Sequence, residues 1–236
     1  MRTIFHPADE RGHANHGWLD SWHSFSFAQY YNPNKMHFGA LRVLNDDSVA
    51  GGTGFGTHPH DNMEIVSIPL YGDLEHKDST GRRAIIKEGD VQIMSAGSGI
   101  THSEVNSNRD KDVRFLQIWI FPKERDIAPR YDQMSFPPED RLNTLATVVD
   151  PEGKDGIQIN QDAWLKLGYF DRKEMIDYQM YKDGNGIYLF VMEGEVKVGE
   201  QTLSRRDALG IFDTDQVAIE ANEGSQFLVI EVPMEL

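Results

Sequence analysis

Two stretches of this chain, far apart in sequence, spell out the same turn-and-strand pattern. In the first, Leu70-Tyr-Gly-Asp-Leu-Glu75 leads on to Glu88-Gly-Asp-Val-Gln-Ile-Met-Ser95. In the second, Met192-Glu-Gly-Glu-Val-Lys197 leads on to Arg206-Asp-Ala-Leu-Gly-Ile-Phe-Asp213. Each copy has a hairpin turning at a glycine (Gly72, Gly194), a second turn carrying an aspartate (Asp90, Asp207), and then a hydrophobic strand. A repeat of this kind predicts two similar β units rather than one continuous sheet.

Around the copies, runs rich in Val, Ile, Phe and Tyr alternate with clusters of Gly, Asp and Asn, the composition of strands and turns. Strands are predicted over 38–44, 64–70, 84–87, 91–94 and 113–121. In the second half they are predicted over 164–170, 187–192, 195–198, 208–212, 216–220 and 226–232. Short strands at this spacing fit an all-β sandwich or barrel. Only 137–142 hints at a helical turn. Residues 122–141 carry four prolines and read as a connector, which divides the chain into 1–130 and 131–236.

At 236 residues the chain can bury its cores without help from disulfides or metals, so a bound metal would serve chemistry rather than folding. The absence of cysteine excludes disulfides, zinc–thiolate sites and thiol nucleophiles. With 38 acidic and 23 basic residues the formal charge is −15, and no concentrated basic face is evident. Phosphate backbones reward such a face, so direct nucleic-acid binding is not expected. The first ten residues lack the apolar stretch of a signal peptide, and the longest mainly apolar run, 115–122, is too short to span a bilayer. The expectation is a soluble cytoplasmic protein with no membrane contact, and a monomer, since nothing in the sequence announces an interface.

All nine histidines lie at or before His102, which points to one working half and one supporting half. Two pairs are informative: His58-Pro59-His60 and His102-Ser103-Glu104. Residues i and i+2 of a strand face the same side. Two such strands across a barrel interior would turn three imidazoles and one carboxylate toward one point. That set suits iron, nickel, manganese, cobalt, copper or zinc. It would leave one or two positions of an octahedral ion for substrate or dioxygen. A His-x-His alone is weak, because it also arises from unrelated hydrogen-bonding side chains on loops.

The surrounding residues narrow the choice. Gly52-x5-His58-x-His60-x3-Glu64, with Gly72 following, resembles the first cupin motif. Gly89-x5-Ser95-x-Gly97 leading to His102-x3-Asn106 resembles the second, although its usual proline is Ser95 and its glycine-to-histidine gap is longer. The stretches His16-Gly-Trp-Leu-Asp20, His23-Ser-Phe-Ser-Phe27, Asn62-Met-Glu-Ile65, Leu74-Glu-His-Lys-Asp-Ser79 and Gly97-Ser-Gly-Ile-Thr-His-Ser-Glu104 are similar to the pirin family. The resemblance is dense over residues 11–125 and looser beyond.

The resemblance implies two jelly-roll-type cupin barrels in tandem, with one divalent transition metal in the first. Iron is expected before nickel, cobalt, manganese, copper or zinc. It implies His58, His60, His102 and Glu104 as ligands. Most cupins use the glutamate at position 64 instead, and strand parity extended from His58 and His60 keeps Glu64 open as a ligand or wall residue. It also implies quercetin 2,3-dioxygenase activity, in which a flavonol is cleaved by O2 with release of carbon monoxide and Glu104 serves as the base. The family also includes iron-dependent modules that bind regulatory proteins or enzymes. A solvent-open pocket beside the metal favours the enzyme; a closed site beside a flat acidic face favours the module.

The remaining histidines receive plainer readings. His76 is expected to face solvent or a carboxylate, and His13, His16, His23 and His37 to be structural. Phe25 and Phe27 are assigned to core packing. Aligning Gly72 with Gly194, and Asp90 with Asp207, puts Met180, Lys182 and Ile219 near the ligand positions of the second unit. That unit is therefore expected to be metal-free.

Overall fold

The two copies of the repeat fold with the same backbone detail in the computed structural model, which describes residues 1–235. Gly72 and Gly194 turn their hairpins at φ values of 76° and 77°, a region that glycine enters without steric cost. Asp90 accepts a hydrogen bond from the Lys87 amide, and Asp207 accepts one from the Ser204 amide, each at 2.9 Å. These two aspartates close equivalent turns.

The first half supplies β1 (Arg2–His6), β2 (Gly12–Asn15), β3 (Leu19–His23), β4 (Leu41–Val49), β5 (Gly54–His60) and β6 (Glu64–Tyr71). It continues with β7 (Leu74–Asp78), β8 (Arg83–Ile86), β9 (Asp90–Ser95), β10 (Ile100–Asn106), β11 (Val113–Ile120) and β12 (Arg130–Ser135). The second half supplies β13 (Leu145–Asp150), β14 (Ile157–Gln158), β15 (Trp164–Phe170), β16 (Glu174–Gln179) and β17 (Asn185–Glu193). Then follow β18 (Val196–Val198), β19 (Gln201–Leu203), β20 (Ala208–Phe212), β21 (Gln216–Ala221) and β22 (Ser225–Pro233). Among the described residues the helices are two short 3-10 turns, Ala8–Glu10 and Pro138–Arg141, and no helix is long and apolar enough to cross a membrane.

Each half is built from a seven-stranded and a four-stranded sheet. The first pair runs β12-β9-β6-β11-β4-β3-β2 against β5-β10-β7-β8; the second runs β1-β20-β17-β22-β15-β13-β14 against β16-β21-β18-β19. The expected all-β class with tandem cupin-type domains is what the chain adopts. The two large sheets meet along a shared core in which Val66, Leu116 and Ile118 of the first half cluster with Phe190, Leu228 and Ile230 of the second. Each large sheet is thus buried on both faces, which is why its central strands read largely as apolar runs. A buried charge network also ties the halves together: Arg206 Nε donates to Asp46 Oδ2 at 2.7 Å, and Arg11 reaches the same oxygen at 3.4 Å.

Two crossings were not anticipated. The segment read as a connector contains β12, which pairs with β9 from Arg130↔Ser95 to Ser135↔Asp90 and so extends the first sheet. Strand β1 leaves the first half and pairs with β20, from Arg2↔Phe212 to His6↔Ala208.

Asp150 shows how one carboxylate fixes a turn. It is 5% exposed and accepts hydrogen bonds from the backbone amides of Glu152, Lys154, Asp155 and Gly156. Burial pushes its pKa up, but the four amides outweigh that and leave it below 3.8. A depressed carboxylate stabilises the fold above its unfolded pKa and loses that contribution as the pH falls through its folded value. Asp150→Ala is expected to cost about 2–3 kcal/mol at neutral pH, measured by urea unfolding. The gap to wild type should close on acidification below pH 3.8. A pH-independent gap would show that the loss is packing alone.

Candidate metal centre

The four-stranded sheet of the first half carries the candidate ligands. Its middle strand β10 pairs with β5 on one side and β7 on the other, and the register sets His58 directly opposite His102. On the other side Glu104 lies opposite His76, and His102 opposite Asp78. Because side chains alternate, His58, His60, His102, Glu104 and His76 all turn into the barrel.

The ligand nitrogens of His58, His60 and His102 lie within 4.8 Å of one another. Their ring centroids are 4.9 Å (His58–His60), 4.5 Å (His58–His102) and 4.9 Å (His60–His102) apart. The same spacing also groups His102 and Glu104 with His76. His58 Nδ1 donates to the Gly56 carbonyl at 2.7 Å, so in the neutral ring Nε2 is the nitrogen left to ligate. Burial, followed by the nearby His58, His60 and His76, drives His102 down to about 2. Burial and His58 take His60 down to about 4. Neutral imidazoles are what a metal requires. His102 is 1% exposed, yet neither ring nitrogen has a hydrogen-bond partner. Buried nitrogens are rarely left so, and a metal ion satisfies the one that must accept. The donor set therefore fits a first-row divalent cation.

Glu104 is held from the opposite sheet. Gln117 Nε2 donates to its Oε2 at 2.7 Å, and Ser67 Oγ lies 3.0 Å from Oε1. Ser67 Oγ is also 2.7 Å from Gln117 Oε1. One hydroxyl has one proton, so it serves one of these acceptors at a time, and a proton on Glu104 would satisfy the other contact. Burial pushes Glu104 up to about 7, against the pull of Ser67 and Gln117.

Glu64 does not join this group. Its Oε2 accepts from Ser95 Oγ at 2.8 Å and from the Asn160 amide at 3.1 Å, across the boundary between the halves. The parity argument fails because the chain turns between β5 and β6, with Asn62 at φ 46°, and the alternation restarts. His76 is fully buried and meets the carboxylate of Asp78 at 3.0 Å. His13 contacts Asp20, and His37 donates to the Gly39 carbonyl. Phe25 is core.

An open cavity of about 290 Å³ begins beside His58, His60 and Glu104. His16 and His23, expected to be structural, and Phe27, expected in the core, line it, as do Phe55 and Trp119. Strand β3 brings Ser21 and His23 to the cavity wall. Asp47 also lines this wall. Its carboxyl is pushed up to about 7 by burial, against the hydrogen bond from Ser21. Ser67, Gln117, Asp47 and Trp119 escaped sequence reasoning. For Ser67, Gln117 and Trp119 the available signal was a polar or bulky residue within an otherwise largely apolar strand.

The second barrel differs in kind. Its interior holds an apolar cluster including Phe170, Leu189, Ile219 and Phe227, with Met180 packed against it. Lys182 pairs with Asp162.

Residues 4–120 match the family model for pirin, and residues 147–232 match that for the quercetinase C-terminal cupin domain. A quercetin 2,3-dioxygenase of Escherichia coli K12 is 43% identical over 227 residues, 96% of each chain. A pirin-like protein of Caulobacter vibrioides is 40% identical, covering 95% of this chain and 97% of that one. The chain belongs to the pirin family. The bacterial pirin YhhW from Escherichia coli, solved in complex with nickel(II), superposes on this pirin with a TM-score of 0.93 and 41% identity over 98% of this chain and 99% of that one. A quercetin 2,3-dioxygenase from Acinetobacter baumannii, 19% identical with a TM-score of 0.73, shares the fold.

Proposed function

We propose that this pirin is a metal-dependent dioxygenase that cleaves a flavonol such as quercetin with O2 and releases carbon monoxide. In this reading His58, His60, His102 and Glu104 hold one divalent transition metal. The observation that carries it is the open, largely apolar cavity of about 290 Å³ at the side of the histidine cluster. A closed site would have favoured the protein-binding module. Iron remains the first choice, and the nickel(II) bound by the Escherichia coli pirin supports a divalent ion and keeps nickel beside it.

A divalent metal held by this set supplies Lewis acidity toward an enolic oxygen and a redox path toward O2. Phe27, Phe55 and Trp119 offer ring faces and edges to a planar substrate. Glu104 takes the proton of the flavonol 3-hydroxyl at a carboxyl oxygen, while Ser67 and Gln117 keep that carboxyl in place. Both atoms of O2 enter the products, and one ring carbon leaves as carbon monoxide.

The test is aerobic quercetin turnover by protein stripped of metal and reloaded separately with iron, nickel, cobalt, manganese, copper and zinc. Flavonol absorbance, oxygen uptake and carbon monoxide are followed together. Metal-dependent turnover that vanishes in His60→Ala supports the reading. No turnover with any metal, despite stoichiometric loading, moves the assignment to the binding module. Glu104→Gln is expected to keep the fold and lower kcat by at least about 100-fold, the usual worth of a general base. Undiminished kcat in that variant would remove Glu104 from the proton step.

A further inference from the structure

Across the cavity from the histidine cluster, β3 and β4 lay down a second set of polar side chains. Their pairing sets Ser21 opposite Asp47 and His23 opposite Asn45. Ser21 Oγ donates to Asp47 Oδ1. His23 Nδ1 lies 2.9 Å from Asn45 Oδ1, an oxygen that only accepts, so Nδ1 carries the proton. All four side chains are buried and line the same cavity.

This wall is costly to build. A buried carboxylate is tolerated when its acceptor capacity is used. Among the described residues no lysine or arginine lines the cavity, and Ser21 is one donor to a group that can accept several. Packing alone would be met by apolar side chains, as it is in the second barrel around Phe170 and Leu189. Arg11 and Arg206 turn instead to the neighbouring Asp46, on the other face of β4.

We propose that Asp47, held by Ser21, is a specificity residue that accepts a hydrogen bond from a second hydroxyl of the substrate. The cavity then selects planar aromatics bearing hydroxyls on two edges over those bearing the enolic hydroxyl alone. Glu104 on the four-stranded sheet receives one hydroxyl, and Asp47 on the facing sheet receives the other. The inference rests on the flavonol reading and deepens it.

The experiment compares metal-loaded wild type, Asp47→Asn and Ser21→Ala at about pH 8, above the value of about 7 to which burial raises Asp47. Quercetin is set against galangin, which lacks the pendant-ring hydroxyls, and fisetin, which lacks the hydroxyl at position 5. Anaerobic binding is followed by quenching of tryptophan fluorescence, and turnover by flavonol absorbance. In wild type, removing the recognised hydroxyl is expected to lower affinity and kcat/KM by about tenfold or more, the worth of a charge-assisted hydrogen bond. In Asp47→Asn that ratio should fall to within about threefold, and Ser21→Ala should move it in the same direction. Ser21→Ala keeps the proposal testable if Asp47→Asn does not fold. An unchanged ratio in variants that still turn over quercetin overturns the role of Asp47 and leaves the dioxygenase reading intact. If no flavonol binds the loaded wild type, both fall together.

Discussion

His102→Ala is expected to abolish metal loading and quercetin turnover while leaving the metal-free fold close to its original stability. The imidazole sits between His58, His60 and His76, and both of its nitrogens are buried without a partner. The stripped protein therefore loses packing but also sheds an unsatisfied group, and the two effects oppose each other. The loaded protein loses the residue common to both ligand groupings. Metal affinity should drop by more than about 100-fold, since residues that merely orient a ligand are worth 10–100-fold. Wild type in metal at about 100 times Kd should gain about 2.7 kcal/mol of stability, and the variant should gain none. Calorimetric titration with nickel(II) and thermal melts with and without the ion check both statements. A variant that still binds one equivalent tightly would move the centre away from His102.

Phe190→Ala is expected to have the largest effect on stability, about 3–5 kcal/mol, because it empties a ring from the core that both halves share. For a chain of this size that corresponds to a fall in Tm of roughly 10 °C. The ring also lies 5.9 Å from the Arg11 guanidinium and 6.0 Å from that of Arg206, so the charge network above it loosens as well. The substitution is in the second half, yet nickel retention in the first should fail at the same midpoint. Two separate transitions would mean that each half stands on its own core.

The double-barrel fold was legible because its turns are chemical. A glycine at positive φ and an aspartate capping the next turn recur at Gly72 and Asp90 and at Gly194 and Asp207, and these residues have few substitutes. The central strands of the large sheets, such as β6, β11, β17 and β22, were legible as apolar runs because both of their faces are buried. Strand β5 was not, since its Gly54–His60 sequence is polar and half-exposed; its histidines announced it instead. The ligand candidates followed from local spacing, which holds inside a strand. Glu64 had to be left open because parity does not survive the turn at Asn62. Gln117 and Ser67 were hidden because their role depends on which strands become neighbours, and that is fixed by long-range pairing. Strand β1 was missed for the same reason, four of its five side chains being exposed and giving no inward face to read.

That first strand also sets a schedule for the ribosome. Arg2 finds its hydrogen-bonding neighbour only when Phe212 has been made, so β1 stays without its partner until β20 has emerged. Contacts between such distant residues form late and slowly. The histidine cluster, complete once His102 and β11 have emerged, can assemble long before then. A nascent chain would accordingly be able to capture its metal while its own first strand is still unpaired, with the exposed edge of the growing sheet as the interval most open to aggregation.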